Sequence, residues 1–155
     1  MKNIIAIVCL VLLLTACKKD KFTTAPQISF VDLKPNFAPI GLTNIQESLI
    51  PKLVFKITDA EGDFGNNDAG DSSWIYVKHL FTQETDSLRF PDLQRAPKNN
   101  FDAEVTVSMF TFIECAAGQP RPGVDTVFYE VYVKDAKGNK SNVIKTGKPL
   151  LTECP

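Results

Sequence analysis

The sequence has little of what most enzyme chemistry needs. It holds one histidine, His79, in 155 residues. One His with no neighbouring Cys leaves no zinc site by spacing. There is no Gly-x-Ser-x-Gly elbow, no His-Glu-x-x-His and no phosphate-binding loop. No Cys-x-x-Cys pair is present, which removes the usual redox motif. Excess charge of one sign is lacking too, since 17 Lys plus Arg balance 18 Asp plus Glu. Such a balance gives no broad field for nucleic acid and no polybasic run for anionic lipid. No apolar run reaches the roughly 20 residues that a helix needs to span a bilayer.

What is present starts at the N-terminus. Met1-Lys2-Asn3 is polar with one positive charge, and Ile4 to Leu14 is an unbroken apolar run of eleven. That run is short for a membrane span and fits the apolar middle of a secretory signal. It ends in Leu14-Thr15-Ala16-Cys17, which resembles the lipobox of bacterial lipoproteins. The resemblance implies a cleaved signal over residues 1–16. It also implies a diacylglyceryl group on the Cys17 thiol and an acylated (palmitate-type) new N-terminus. Two or three acyl chains anchor durably where one holds only marginally. Lys18 follows the Cys, where enteric lipoproteins kept at the inner membrane usually carry Asp. By that resemblance the protein is an outer-membrane lipoprotein, on the periplasmic face or the cell surface. Residues 17–26 then form the lipidated Cys and a polar tether, and 27–155 the folded domain. The partner implied is the lipid bilayer, reached through acylated Cys17.

From residue 27 the pattern is short alternating segments separated by Pro, Gly, Asn and Asp. Gln27 to Lys34 alternates, with Ile28, Phe30 and Asp32 on one side. Leu53, Phe55 and Ile57 alternate against Lys52, Lys56 and Thr58. Trp74 to Thr82 is aromatic and β-branched, and Asp86 to Phe90 reads as its returning hairpin arm. Val105, Val107 and Met109 continue into Phe110–Ile113. Val127 to Lys134 alternates throughout, and Asn142 to Thr146 gives a short last strand. Ile45 to Ile50 allows one helical turn. The expectation is an all-β fold, an antiparallel immunoglobulin-like β-sandwich of about seven strands. Tyr132 to Asn142, with Asp135-Ala136-Lys137-Gly138-Asn139 at its turn, resembles the final hairpin of bacterial immunoglobulin-like and fibronectin-type domains. Gly138 accepts the positive φ such a turn requires.

Residues 58–71 are the most unusual stretch, with five carboxylates and two Asn side chains. Asp59, Glu61, Asp63, Asn66, Asp68 and Asp71 are hard oxygen donors in a glycine-containing loop. Such donors suit Ca²⁺, which takes six to eight oxygens. The spacing is not that of an EF-hand. Counting from Asp59, Phe64 stands at the obligatory glycine position and Gly70 at the closing glutamate. The alternative is a solvated loop of side-chain turns in which Phe64 plugs the edge of the core. The Asp-x-Glu-Gly-Asp-Phe-Gly run, with the lipobox and the terminal hairpin, resembles Bacteroidota-type lipoproteins with immunoglobulin-like domains.

Two cysteines remain in the domain, Cys115 and Cys154, and an oxidising compartment predicts that they pair. Closing their loop would stabilise by roughly 4 kcal/mol in the chain-entropy model. His79 falls inside a predicted strand and reads as structural. Trp74 reads as core, with an exposed stacking platform as the alternative. Asp59, Asp63, Glu104 and Glu130 are the carboxylates from which a glycosidase pair would be drawn. The reading that follows is a membrane-anchored, non-enzymatic binding or accessory module of the cell envelope, with an envelope protein or a glycan as partner. The rivals are a carbohydrate-binding accessory protein of a glycan-uptake system and a small envelope hydrolase.

Overall fold

A computed structural model describes residues 21–39, 46–64, 72–91 and 99–155. The expected signal, Cys17, and the candidate ligands Asn66, Asp68 and Asp71 lie outside the described residues.

The chain is all-β. Ten strands are described: β1 (Gln27–Lys34), β2 (Phe37–Pro39), β3 (Lys52–Asp59), β4 (Trp74–His79), β5 (Thr85–Arg89), β6 (Phe101–Ser108), β7 (Gly123–Val127), β8 (Tyr129–Lys134), β9 (Ile144–Lys145) and β10 (Leu150–Cys154). They form three sheets, ordered β1-β3-β6, β2-β10-β7 and β5-β4-β8-β9. Every pairing is antiparallel except β2 with β10, which is parallel. Among the described residues no helix is long and apolar enough to cross a membrane.

Strand alternation places one face of each sheet in a shared core. Leu53, Phe55 and Ile57 of β3 are fully buried, as the sequence pattern requires. Val131 and Val133 of β8, Ile75 and Val77 of β4, and Val127 and Leu150 join the same cluster. Asn142 ties the first sheet to the third. Its Oδ1 accepts from the Ile28 amide at 2.7 Å, and its Nδ2 donates to the Ile28 carbonyl at 2.9 Å. One side chain thus does what a strand neighbour would do at that edge.

Four departures from the sequence reading have physical causes. In β1 the register shifts between Phe30 and Asp32. Val31 is the extra residue of this bulge, so Leu33 turns inward opposite Leu53 and Asp32 turns outward. Phe110–Phe112 is a 3₁₀ turn instead of a strand. The turn lets Met109 and Phe112 both enter the core, whereas a strand would send them to opposite faces. Residues 127–134 change sheets at Phe128, so one alternating run makes two strands. Burial alternates straight through the change, so no break shows in the pattern. Trp74 is half-buried on the outward face of its sheet and is not a core residue.

Candidate acidic cation site

The site forms where two loops leave different sheets at the same end of the molecule. β3 ends at Asp59, and β8 runs directly into Asp135. The Ala136 amide donates to the Asp63 carbonyl at 3.0 Å, which joins the loops. The first loop is held on its other side as well. The Ala60 amide donates to the Thr23 carbonyl at 3.1 Å, and the Ala60 carbonyl accepts from the Asn100 amide at 2.9 Å. Phe64 anchors the loop by entering the core between Phe90 and Phe101, with ring centroids 5.0 and 5.5 Å away. Gly62 adopts φ +62, which turns its amide back onto Asp59 Oδ2 at 2.7 Å.

This framework brings together one carboxylate oxygen each from Asp59, Asp63 and Asp135, all within 4.8 Å of one another. Asp59 is 0% exposed and Asp135 2% exposed. Asp135 is fixed by Asn139, whose backbone amide and side-chain amide each donate to it at 2.7 Å. By contrast Asp59 Oδ1, Glu61 Oε2 and Asp63 Oδ1 are buried without a hydrogen-bond partner among the described residues. Among the described residues the cation paired with them is Lys137, whose exposed ammonium lies 3.2 Å from Asp63 Oδ2. Burial pushes the Asp59 carboxyl up to about 6, and the neighbouring charges of Asp63, Glu61 and Asp135 push the same way against the Gly62 hydrogen bond.

The arrangement suits a hard divalent cation. Oxygens on opposite sides of one Ca²⁺ stand about 4.6–5.2 Å apart, twice its usual contact distance. The three carboxylate oxygens, all within 4.8 Å of one another, fit inside that span, and the uncompensated Oδ1 of Asp59 needs either a proton or a cation. Among the described residues the cluster offers oxygen ligands alone, with no His or Cys. Of the residues expected at the site, Asp59 and Asp63 are brought together, while the Glu61 carboxylate stays outside the converging group and acts on Asp59 only through its charge. Asp135 is the ligand that sequence reasoning missed. It sits in the Asp-x-x-Gly-Asn turn, where the local sequence signals turn chemistry and nothing of a distant acidic loop.

The remaining candidates are placed elsewhere. Cys115 and Cys154 form a disulfide, with Cα atoms 5.9 Å apart. Nearby, Asp125 accepts from Arg121 at 2.8 and 2.9 Å and from the Ala116 amide at 2.7 Å, so its charge is satisfied. His79 closes the β4–β5 hairpin. Its Nδ1 accepts from the Phe81 and Thr82 amides at 3.2 and 3.1 Å, which puts the ring proton on Nε2. Burial holds this imidazole below its ordinary value. Glu104 and Glu130 belong to β6 and β8 and do not join the acid cluster. No protein-family model, no curated protein and no solved structure matches this chain.

Proposed function

We propose that the protein is a lipid-anchored, non-enzymatic module of the bacterial cell envelope that binds Ca²⁺ between its β3–β4 and β8–β9 loops. The observation that carries the cation site is the fully buried Asp59, whose Oδ1 has no hydrogen-bond partner among the described residues and whose carboxylate lies beside two others. In the metal-bound state Asp59, Asp63 and Asp135 supply charged ligands, and Glu61 lies close enough in sequence to add a fourth. An ion there replaces mutual repulsion between loops with shared coordination, and so stiffens one end of the domain. The architecture we propose is an immunoglobulin-like two-layer sandwich, with β1-β3-β6 facing β5-β4-β8-β9. The common core of the two sheets and the Asn142 link support it.

Anchoring rests on the lipobox of residues 14–17 and places the module outside the cytoplasm, on the outer membrane. The Cys115–Cys154 pairing is consistent with that compartment.

The test is a calcium titration of metal-free protein, following its thermal midpoint. At a hundredfold excess over Kd, a ligand specific for the folded state stabilises by about 2.7 kcal/mol. For a chain of this size that raises the midpoint by roughly 5–10 °C. Asp135→Asn should abolish the rise. A wild-type midpoint unmoved by millimolar calcium refutes the site. Anchoring is tested separately, by mass spectrometry of the N-terminal peptide from cells.

A further inference from the structure

The outward face of the β5-β4-β8-β9 sheet carries a second feature that the cation site does not use. Strand pairing lays its side chains out in rows. Arg89, Trp74 and Lys134 form one row, which Lys140 extends through its bridge to Lys134. Ser87, Tyr76 and Tyr132 form the next. Thr85, Lys78, Glu130 and Lys145 form the third. Among the described residues five cations thus share these rows with one carboxylate, on a chain whose formal net charge is −1. The concentration is a product of register, since these residues come from four strands and, for Lys140, the turn between β8 and β9.

The aromatics here are not an open platform. Tyr76 and Tyr132 stack on each other, with centroids 4.6 Å apart and planes inclined by 8°. Lys140 lies 3.9 Å from the Tyr132 centroid and Lys134 5.4 Å from that of Tyr76. Neither ammonium fits between rings so close, so the cations flank the stack. Arg89 lies over Trp74 at 5.3 Å. The tyrosines cover one face of each other and a cation sits against each of the three rings, which leaves less ring surface for stacking on a nucleobase or on the apolar face of a neutral sugar. The rings instead splint the cationic side chains upright over the sheet. What remains for a ligand is a flat field of positive charge interspersed with the hydroxyls of Tyr76, Tyr132, Ser87 and Thr85.

We infer that this face binds an acidic polysaccharide, a polymer whose carboxylates meet Arg89, Lys134 and Lys140 while its neutral hydroxyls meet the tyrosine and serine hydroxyls. Charge complementarity selects the carboxylates, and the reduced ring surface disfavours neutral glycans and single-stranded nucleic acid. The site is independent of the metal cluster.

The purified chain is titrated with polygalacturonate in low salt and chelator, beside the fully methyl-esterified polymer, duplex DNA and phosphatidylglycerol vesicles. Chelator silences the acid cluster, so the two readings fail separately. Polygalacturonate should bind, weakening as salt rises, and the esterified polymer should not. The combined Arg89→Gln, Lys134→Gln and Lys140→Gln variant should bind about tenfold more weakly at three exposed charge contacts. Should that variant fold poorly, Arg89→Lys with Lys134→Arg and Lys140→Arg keeps the charge and should keep the binding. The inference is overturned by a wild type that binds no polygalacturonate or binds its ester equally well. It is equally overturned by a folded Gln variant of undiminished affinity, or by equal or tighter binding of DNA or vesicles.

Discussion

Replacing Asp59 by Asn should stabilise the metal-free protein at neutral pH and abolish its response to calcium. Asp59 is 0% exposed, and its carboxyl is raised from 3.8 to about 6. The unfolded chain therefore releases this proton before the folded one does. Between those two values the folded state holds the extra proton, so stability falls as pH rises through the window. Above pH 6 the buried charge costs about 3 kcal/mol, at roughly 1.4 kcal/mol per unit. Asn removes that charge with nearly the same shape, and its Oδ1 can still accept from the Gly62 amide. Urea denaturation in chelator should show Asp59→Asn more stable than wild type at pH 7.5, by up to about 3 kcal/mol. At pH 3.5, where wild-type Asp59 is protonated in the folded state and mostly protonated in the unfolded one, the difference should shrink to a few tenths of a kcal/mol, about the size set by the remaining ionised fraction. Acid-sensitive groups remote from Asp59, including His79, cancel in this comparison, and the neighbouring Asp63, Glu61 and Asp135 are relieved of the same repulsion, which contributes to the gain. Saturating calcium should reverse the order at pH 7.5, because only the wild type gains from the ion. If Asp59→Asn is the less stable protein in chelator at pH 7.5, the buried carboxylate already has a compensating partner and the case for a cation fails.

Three further outcomes follow from the packing. Replacing Cys115 and Cys154 together by Ser should lower stability by roughly 4 kcal/mol, the entropy of closing a loop of this length, as read by urea midpoints. Tyr129→Phe deletes the hydrogen bond that its fully buried hydroxyl donates to the Phe112 carbonyl at 2.8 Å, at a cost of about 1–2 kcal/mol. Because this bond pins the 3₁₀ turn to β8, amide exchange should rise first around residues 110–113. Gly147→Ala places a methyl 2.8 Å from the Phe30 ring and should cost about 1–3 kcal/mol of overpacking, while leaving calcium binding intact.

Residue order alone is enough to set the class of fold, because a period of two writes one buried face directly into it. Leu53, Phe55 and Ile57, or Val131 and Val133, had nowhere else to go once paired. It also supplied the pairing of the two domain cysteines, the turn at Gly138 and the acidic character of the loop after β3. Tertiary structure alone decided the rest, wherever the deciding contact joins residues distant in the chain. The change of sheets at Phe128 depends on whether Leu150 or His79 lies alongside, and alternation reads the same in both cases. The bulge at Val31 is visible only against β3. Asp135 becomes a partner of Asp59 because two strands of different sheets end side by side, 76 positions apart in the chain. The basic face is assembled by register in the same way, from a chain with almost no net charge. Periodicity is a local property and survives in sequence, whereas convergence of charges is set by strand order, which no short window of residues encodes.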